Sequence, residues 1–309
     1  HSLRRRQRQM CIRDRYIDKC PLCEKSSFEK VMTCTDHYAT GESFDLYRCK
    51  NCGFLFTQNA PVEAEIGRYY ESPDYISHSD TKKGLMNSVY HRVRQLMLRK
   101  KVALVKHCSR LNNGNILDIG TGTGYFANAM NKAGWKVSAI EKNGQARDFA
   151  KEHFGIDVAP PEYLYDIEEK SLDVITLWHV MEHLEQLNLT WETLGKILKD
   201  SGTLIIAVPN SSSFDAGKYN EMWAAYDVPR HLWHFTPSTM QQMGLKHGFV
   251  LSERYPMPFD AFYVSMLTEK YKNNSFTFIR GLVMGFRAWI ASLMKKDKSS
   301  SMIYIFRKK

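Results

Sequence analysis

The sequence predicts an α/β fold with a mostly parallel sheet, preceded by a small cysteine-rich module. From residue 115 onward, short apolar runs alternate with segments of helical periodicity, which is typical of a parallel sheet covered by helices on both faces. Before this region, four cysteines form two CxxC pairs that are 25 residues apart. A chain of 309 residues is long enough for about two domains.

The two CxxC pairs predict a metal site made of Cys20, Cys23, Cys49 and Cys52. Two such pairs are typical of a tetrahedral zinc site with four thiolate ligands. Because four protein ligands leave no open position, we expect Zn²⁺ there to be structural, in a zinc-ribbon-like module over residues 16–60. Four unmetallated or redox-active thiols are the alternative.

The formal net charge of +10 lies at the two ends of the chain, while residues 20–286 are close to neutral. The Arg-rich residues 1–15 are expected to be a foreign or disordered tail, because they lack the apolar segment of a signal peptide. No run of about 18 uncharged apolar residues is present, so we expect no transmembrane helix. We therefore expect a cytoplasmic location, with association with a membrane as the open alternative, and no nucleic-acid partner.

The periodicity assigns an element to most of the remaining chain. Residues 61–112 are predicted to form an aromatic segment and a helical lead-in, with one long helix over 85–110. Residues 113–309 are predicted to form the main domain, with a helical insertion at about 259–300. Within it we predict strands at 115–119, 136–140, 156–159, 172–178, 203–208, 249–255 and 302–306, and helices at 125–133, 145–154, 191–198 and 237–247.

A glycine loop joins the first predicted strand of the main domain to its helix. The glycines fall as GxGxG, with Asp118 two residues before the first. This spacing matches neither the GxGxxG of dinucleotide folds nor a P-loop. Glu141 ends the next strand, where an acid can accept hydrogen bonds from ribose hydroxyls. An acid for a ribose and a second acid for an ammonium group suit S-adenosylmethionine.

The motifs DIGTGTG, WHVMEHL and VPRHLWHFTP, together with CPLC near the N-terminus, resemble the class I S-adenosylmethionine-dependent methyltransferases of bacteria that carry an N-terminal zinc-binding segment. The resemblance covers residues 20–309. It implies a Rossmann-like sheet of seven strands, mostly parallel with the last strand reversed, and a site at the carboxyl ends of the strands. We expect the cofactor to lie against Asp118, Gly120, Thr121, Gly122, Gly124, Phe126, Glu141, Lys142 and His179.

Two further segments carry the candidate catalytic residues, which are His183, Arg230, His231 and His234. The string that begins at His179 also matches the HxxEH pattern of zinc peptidases, but its place after a buried strand disfavours that interpretation. Arg230, His231 and His234 lie in the loop that follows the predicted strand at 203–208. A histidine there is suited to accept a proton, and Arg230 is suited to clamp an anionic group. A purely structural lid is the alternative. Deoxysugar C-methyltransferases carry a Glu-His pair in a comparable loop, and the arginine before His231 disfavours their enolate chemistry.

Two segments are left with open interpretations. Tyr70, Tyr75 and His78 are candidates for closing the site from the N-terminal side, or for packing. Phe276–Met294 predicts an amphipathic helix beside basic residues, and residues 276–298 are interpreted as a core or cap element, a peripheral membrane contact, or a partner interface.

The function predicted from these observations is S-adenosylmethionine-dependent methylation of a small molecule, such as a sugar, a glycan precursor or a quinone-like acceptor. An RNA methyltransferase that uses the zinc module for nucleic acid is the first alternative. A non-enzymatic binding protein with a Rossmann-like fold is the second. The pattern predicts neither the atom that is methylated nor the oligomeric state.

Overall fold

The fold consists of a small antiparallel module followed by an α/β domain. The computed structural model describes residues 14–70, 85–273 and 275–309. Most of the predicted tail, together with Tyr75 and His78, therefore lies outside the described residues.

The N-terminal module is an antiparallel meander closed by a two-stranded ribbon. Its strands are β1 (Asp14–Arg15), β2 (Phe28–Thr35), β3 (Ser43–Cys49), β4 (Leu55–Gln58) and β5 (Ala60–Pro61). β3 pairs with both β2 and β4, and β1 pairs with β5. One CxxC pair precedes β2 and the other begins at the last residue of β3. The module therefore brings the two pairs to the same end of the meander.

The α/β domain alternates strands and helices as predicted. A long helix, α1 (Leu85–Ser109), leads into it. Next come β6 (Asn115–Ile119), α2 (Tyr125–Lys132), β7 (Lys136–Ile140), α3 (Gly144–Phe154), β8 (Leu172–Trp178), α4 (Leu187–Ile197) and β9 (Leu198–Pro209). The second half holds α5 (Ala216–Tyr219), β10 (Trp233–His234), α6 (Pro237–Lys246), β11 (Phe249–Pro256), α7 (Asp260–Tyr271), α8 (Thr277–Met294) and β12 (Ser301–Lys308).

The main sheet has the strand order β11-β12-β9-β8-β6-β7. β7, β6, β8 and β9 are parallel, and β12 runs antiparallel to both of its neighbours. The prediction of a mostly parallel sheet with a reversed last strand is therefore confirmed. Helices cover both faces, so the central strands are almost wholly buried.

The predicted seventh strand at 156–159 is wrong in the part of the chain described here. Only Ala159 pairs with the sheet, through one bridge to Ile140. Pro160 and Pro161 follow directly, and a proline has no N–H to donate to a strand ladder. The segment therefore touches the sheet edge at a single residue, and six strands form this sheet.

The carboxyl ends of β6, β7, β8 and β9 meet at one edge of the sheet. The loops that follow these strands hold the glycine motif, Glu141, His179 and the segment that leads to β10. In open parallel sheets this edge is where ligands bind. The fold thus gathers most of the predicted site residues from separate parts of the sequence.

One described helix, α8, is long and apolar enough to cross a membrane by length and composition alone. Arg280 and Arg287 interrupt its apolar run, and the expectation of no transmembrane helix stays a prediction. Only 22% of the helix is buried.

Candidate active site

The glycine loop needs its glycines for two physical reasons. Gly120, Gly122 and Gly124 have φ angles of +69°, +56° and +79°, a region that side chains with a Cβ rarely adopt. A Cβ on Gly120 would collide with Val180, and one on Gly124 would lie 2.8 Å from the Cβ of Ala150. At Gly122 the Cβ direction is open. The loop therefore packs tightly against Val180 and Ala150 at Gly120 and Gly124, and it leaves room for a ligand at Gly122.

Asp118 is a buried carboxylate with one unsatisfied oxygen. Its Oδ1 accepts a hydrogen bond of 2.7 Å from the hydroxyl of Thr176, while Oδ2 is buried without a hydrogen-bond partner. Burial raises the pKa of Asp118 to about 6, since desolvation disfavours the charged form. A cationic group placed against Oδ2 would supply the missing partner.

Glu141 is held in a fixed orientation at the end of β7. Its Oε2 accepts from the amide of Gly122 at 2.8 Å, and its Oε1 accepts from the amide of Asn143 at 2.9 Å. Each carboxylate oxygen has a further lone pair to offer. The carboxylate therefore ties the glycine loop to β7 and can also accept hydrogen bonds from a diol.

The side chains of Phe126 and Lys142 contact other residues of the protein. Phe126 is buried and meets the ring of Trp178 edge-to-face, with centroids 5.5 Å apart. Lys142 forms an ion pair with Glu63. Thr121 donates its amide to the carbonyl of Ile140 at 3.0 Å. These residues support the shape of the loop, and we expect a ligand to meet their backbone.

His179 lies at the carboxyl end of β8 between two carboxylates. Its Nε2 is 3.2 Å from Oδ2 of Asp260, and its Nδ1 is 3.5 Å from Oε1 of Glu182. Burial lowers the pKa of His179, but the two carboxylates outweigh it and raise the value to about 10. The imidazole is therefore positively charged at neutral pH.

The HxxEH string does not form the helix that a peptidase site would need. His179 has a φ of +59°, and Met181–His183 is a single 3₁₀ turn. The two histidines therefore do not share a helix face, and the structure gives no support to a peptidase.

His183 and His231 converge on the buried carboxylate of Glu182. Their rings meet edge-to-face with centroids 4.5 Å apart. Nδ1 of His183 lies 3.0 Å from the carbonyl of Arg230, and Nδ1 of His231 lies 2.9 Å from the carbonyl of Ala225. Because a carbonyl only accepts, each Nδ1 carries a proton, and in a neutral ring each Nε2 keeps a lone pair.

The charge state of this cluster follows from its burial. Burial, followed by repulsion from His231, lowers the pKa of His183 to about 4, so this ring is neutral at neutral pH. Burial opposes the ionisation of Glu182, but the neighbouring histidines outweigh that effect and lower its pKa. Glu182 is therefore an anion beside His231, whose Nε2 is 4.0 Å from Oε1.

Two groups of side chains have the spacing of metal ligands. Glu182, His183 and His231 each offer a ligand atom, and these atoms lie within 4.8 Å of one another. The four cysteines do the same, with Sγ–Sγ distances of 3.5 Å between Cys20 and Cys52 and 3.4 Å between Cys23 and Cys49. Tetrahedral zinc with bonds of about 2.3 Å needs sulfur atoms about 3.8 Å apart, so the cysteine cluster fits the ion.

Arg230 is not free to clamp a substrate. Its guanidinium pairs with Asp36 at 3.0 Å and Asp227 at 2.7 Å, and it donates to the carbonyl of Tyr69 at 2.6 Å. The side chain is 4% exposed. Arg230 instead fastens the loop of residues 227–236 to the N-terminal module.

His234 has a similar supporting position. Its Nε2 is 2.9 Å from the hydroxyl of Thr57, and burial lowers its pKa to about 3. It is 4% exposed. Of the four predicted catalytic residues, the structure therefore brings His183 and His231 together and places Arg230 and His234 in the packing between the loop and the module.

The loop joins the N-terminal module as a strand. β10 pairs with β4, and the amide of Thr57 donates to the carbonyl of Leu232 at 2.9 Å. The Thr57 hydroxyl donates to the carbonyl of His231 at 2.7 Å. The orientation of His231 therefore depends on a residue 174 positions away in the sequence.

Sequence reasoning missed Asp260 and Lys101, which also reach this edge. Asp260 begins α7, and Lys101 extends from α1 to within 4.2 Å of the ring centre of Trp178. Burial lowers the pKa of Lys101, although the charges of Asp118 and Asp260 oppose that shift. No local motif marks either residue. The one available signal in the sequence was that Asp260 follows closely after the predicted strand at 249–255.

We predict that Arg230→Met lowers the free energy of unfolding by about 3–5 kcal/mol, because the buried carboxylate of Asp36 and the partly buried carboxylate of Asp227 lose their partner. Arg68→Met is the control, since its ion pair with Glu42 is exposed and should contribute less than about 1 kcal/mol. Urea unfolding measures both. Equal, small losses in the two variants would contradict a fastening role for Arg230.

The chain is similar in sequence to several curated methyltransferases. The chain is 26% identical over 185 residues to a ubiquinone biosynthesis O-methyltransferase of Rickettsia bellii, covering 56% of this chain and 77% of that protein. It is 33% identical over 109 residues to the protein of the same name from Pelagibacter ubique, covering 33% of this chain and 45% of that protein. A solved SAM dependent methyltransferase from Archaeoglobus fulgidus aligns at 21% identity and a TM-score of 0.47, covering 70% of this chain and 94% of that one.

The family comparison covers more than half of the chain. A family model described as a methyltransferase domain matches residues 90–253, which include the glycine loop, Glu141, the β8 edge and the His231 loop. The chain therefore belongs to this methyltransferase-domain family and is an S-adenosylmethionine-dependent methyltransferase.

Proposed function

We propose that this enzyme methylates a hydroxyl group of a small, quinone-like or phenolic molecule, with His231 as the general base. The observation that carries the proposal is the convergence of His231 and His183 on the buried carboxylate of Glu182, beside the cofactor edge of the sheet. A hydroxyl is a weak nucleophile, so its methylation benefits from a base positioned to take the proton.

The proposed cofactor seat uses the two acids identified above. The unpartnered Oδ2 of Asp118 would accept from the ammonium group of S-adenosylmethionine, and Glu141 would accept from its ribose hydroxyls. When bound, S-adenosylmethionine supplies a methyl group that is activated by attachment to a positively charged sulfur. The residues of this chain orient that group and exclude water from it.

His231 is better placed than His183 to accept the proton. Its Nε2 lies 4.0 Å from Glu182 and 3.8 Å from Asp227, so both carboxylates stabilise the imidazolium that forms. His183 has a pKa of about 4, which makes it a weak base at neutral pH. In the proposed step the hydroxyl oxygen forms the new bond to the methyl carbon, the carbon–sulfur bond breaks with its electron pair going to sulfur, and the hydroxyl proton moves to Nε2 of His231.

The acceptor class rests on the relatives. Five curated relatives, from 26% to 33% identical, are named ubiquinone biosynthesis O-methyltransferases, which supports an oxygen atom on a quinone-like ring. A sugar or glycan hydroxyl is the second candidate from the sequence. The same base would serve that reaction, so the acceptor must be separated by assay.

We also propose a structural Zn²⁺ at Cys20, Cys23, Cys49 and Cys52. Four thiolates form a closed ligand set, and their spacing suits a tetrahedral ion. Because Cys49 ends β3 and Cys52 precedes β4, the ion would fix the turn between the two strands. It would thereby stabilise the strand that holds the His231 loop.

We predict that Asp118→Asn weakens S-adenosylmethionine binding by about 10- to 100-fold, because the variant loses one charge-assisted hydrogen bond. Binding to the unaltered enzyme should weaken as the pH falls through about 6, because protonated Asp118 no longer holds an ammonium, and the variant should lack this step. Calorimetry between pH 5 and pH 8 measures both the loss of affinity and its dependence on pH. Asp157→Asn, at an exposed carboxylate that pairs with Lys151 of α3, is the control. Unchanged affinity in Asp118→Asn would contradict the proposed seat.

We predict that His231→Gln lowers kcat by about 10²- to 10⁴-fold, the usual contribution of a general base, and leaves S-adenosylmethionine affinity unchanged. The assay uses dihydroxybenzenes with apolar tails, and hexoses as the competing acceptor class. His153→Gln, an exposed histidine, is the control. Full activity of His231→Gln on a phenol would refute the base assignment, while turnover of hexoses alone would refute the acceptor class.

We predict about one zinc ion per chain by elemental analysis, since four thiolates bind a single ion. Cys49→Ser should lower both the zinc content and the midpoint of thermal unfolding, whereas Cys108→Ser, a buried thiol away from the cluster, should keep the full zinc content. A metal-free protein with four titratable thiols in the native state would contradict the zinc proposal.

A further inference from the structure

Helix α8 buries its small residues and exposes its large apolar ones. Gly281, Gly285, Ala288 and Ser292 share one buried face, as their spacing of three or four residues requires. A Cβ on Gly281 would lie 2.7 Å from the Cα of Met266, and one on Gly285 would lie 2.7 Å from the Cα of Phe262. The small face therefore lets α8 approach the backbone of α7 closely.

The opposite face of α8 is a continuous apolar surface, which we call the outer face. Its exposed fractions are 65% for Phe278, 58% for Ile279, 55% for Val283, 50% for Phe286 and 65% for Leu293. A surface helix of a water-soluble domain normally shows the reverse arrangement, with large apolar residues inward. Contiguous exposed apolar surface of this kind marks a contact with a membrane or a partner.

The exposed charges around the outer face are basic, and one of them, Arg280, also lies 3.7 Å from the buried Glu269 of α7. Arg280 and Arg287 are two turns apart along one edge of it, and Lys295 and Lys296 follow its last residue, all of them exposed. Thr277–Met294 contains no acidic residue. A basic edge beside large apolar side chains is the pattern of a helix that lies in the interface of an anionic bilayer.

The outer face is connected to the active site through α7. Asp260, the first residue of α7, lies 3.2 Å from His179, and the preceding Phe259 is 54% exposed. The helical hairpin of α7 and α8 therefore extends from the cofactor edge of the sheet to the apolar surface.

We propose that the outer face of α8 docks the enzyme on an anionic lipid bilayer, with α8 parallel to the membrane plane. The apolar side chains enter the acyl region, and Arg280, Arg287 and the two lysines meet lipid phosphates. A membrane-spanning α8 is disfavoured, since crossing would bury both arginines in hydrocarbon. A second copy of the chain is disfavoured because a symmetric contact would bring the basic edges together.

The test is sedimentation of the full chain with vesicles of phosphatidylcholine alone and of phosphatidylcholine with phosphatidylglycerol. We expect strong binding to the anionic vesicles, weakened by salt. Phe278→Ser combined with Phe286→Ser should reduce binding roughly tenfold or more, and Lys295→Gln combined with Lys296→Gln should reduce it roughly tenfold. Leu245→Ser on α6, which is 50% exposed at a different surface, should bind as the unaltered chain does.

Three results would overturn the proposal. The first is no sedimentation with anionic vesicles. The second is a dimer in solution that the Phe278 and Phe286 changes dissociate while vesicle binding is absent. The third is retention in vesicles after alkaline carbonate extraction, which indicates a spanning helix. Calorimetry with S-adenosylmethionine shows separately that the variants keep the cofactor site, so failure here is distinguishable from failure of the proposed chemistry.

Discussion

The structure depends on the pairing of the His231 loop with the edge of the N-terminal sheet. Thr57 is the centre of this contact, because its amide and hydroxyl satisfy two consecutive carbonyls of the loop. Buried carbonyls need such partners, and no residue of the loop itself supplies them here. The module is therefore part of the architecture of the proposed active site, since it determines where His231 lies relative to Glu182.

Buried charge reinforces this contact. Arg230 pairs with Asp36 of the module and Asp227 of the loop, and Asp227 also lies 3.8 Å from Nε2 of His231. Asp227 thus links the arginine that reaches the module to a histidine of the proposed catalytic cluster. Two carboxylates, Glu182 and Asp260, meanwhile keep His179 charged. The site is assembled from separate elements whose charges compensate one another.

Local patterns predicted the parts of the molecule that local physics determines. The strands at 115–119, 136–140 and 172–178 match the prediction residue for residue, because their apolar runs and flanking turns lie within the sequence itself. The strand at 156–159 failed because two prolines end its pairing. Asp260, Lys101 and Thr57 could not be assigned from the sequence, since each acts through contacts between distant segments. The sequence singled out Arg230 as a substrate clamp, and its pairing with Asp36 could not be predicted because the two residues lie 194 positions apart.

The N-terminal sheet holds the His231 loop in place. The most direct measurement is amide hydrogen exchange of residues 227–236 in the unaltered enzyme and in Thr57→Val, which keeps the side-chain shape and removes the hydroxyl. We expect faster exchange in this loop of the variant, with β8 as protected as before and a lower rate of methyl transfer. Unchanged exchange of residues 227–236 in Thr57→Val would contradict the account.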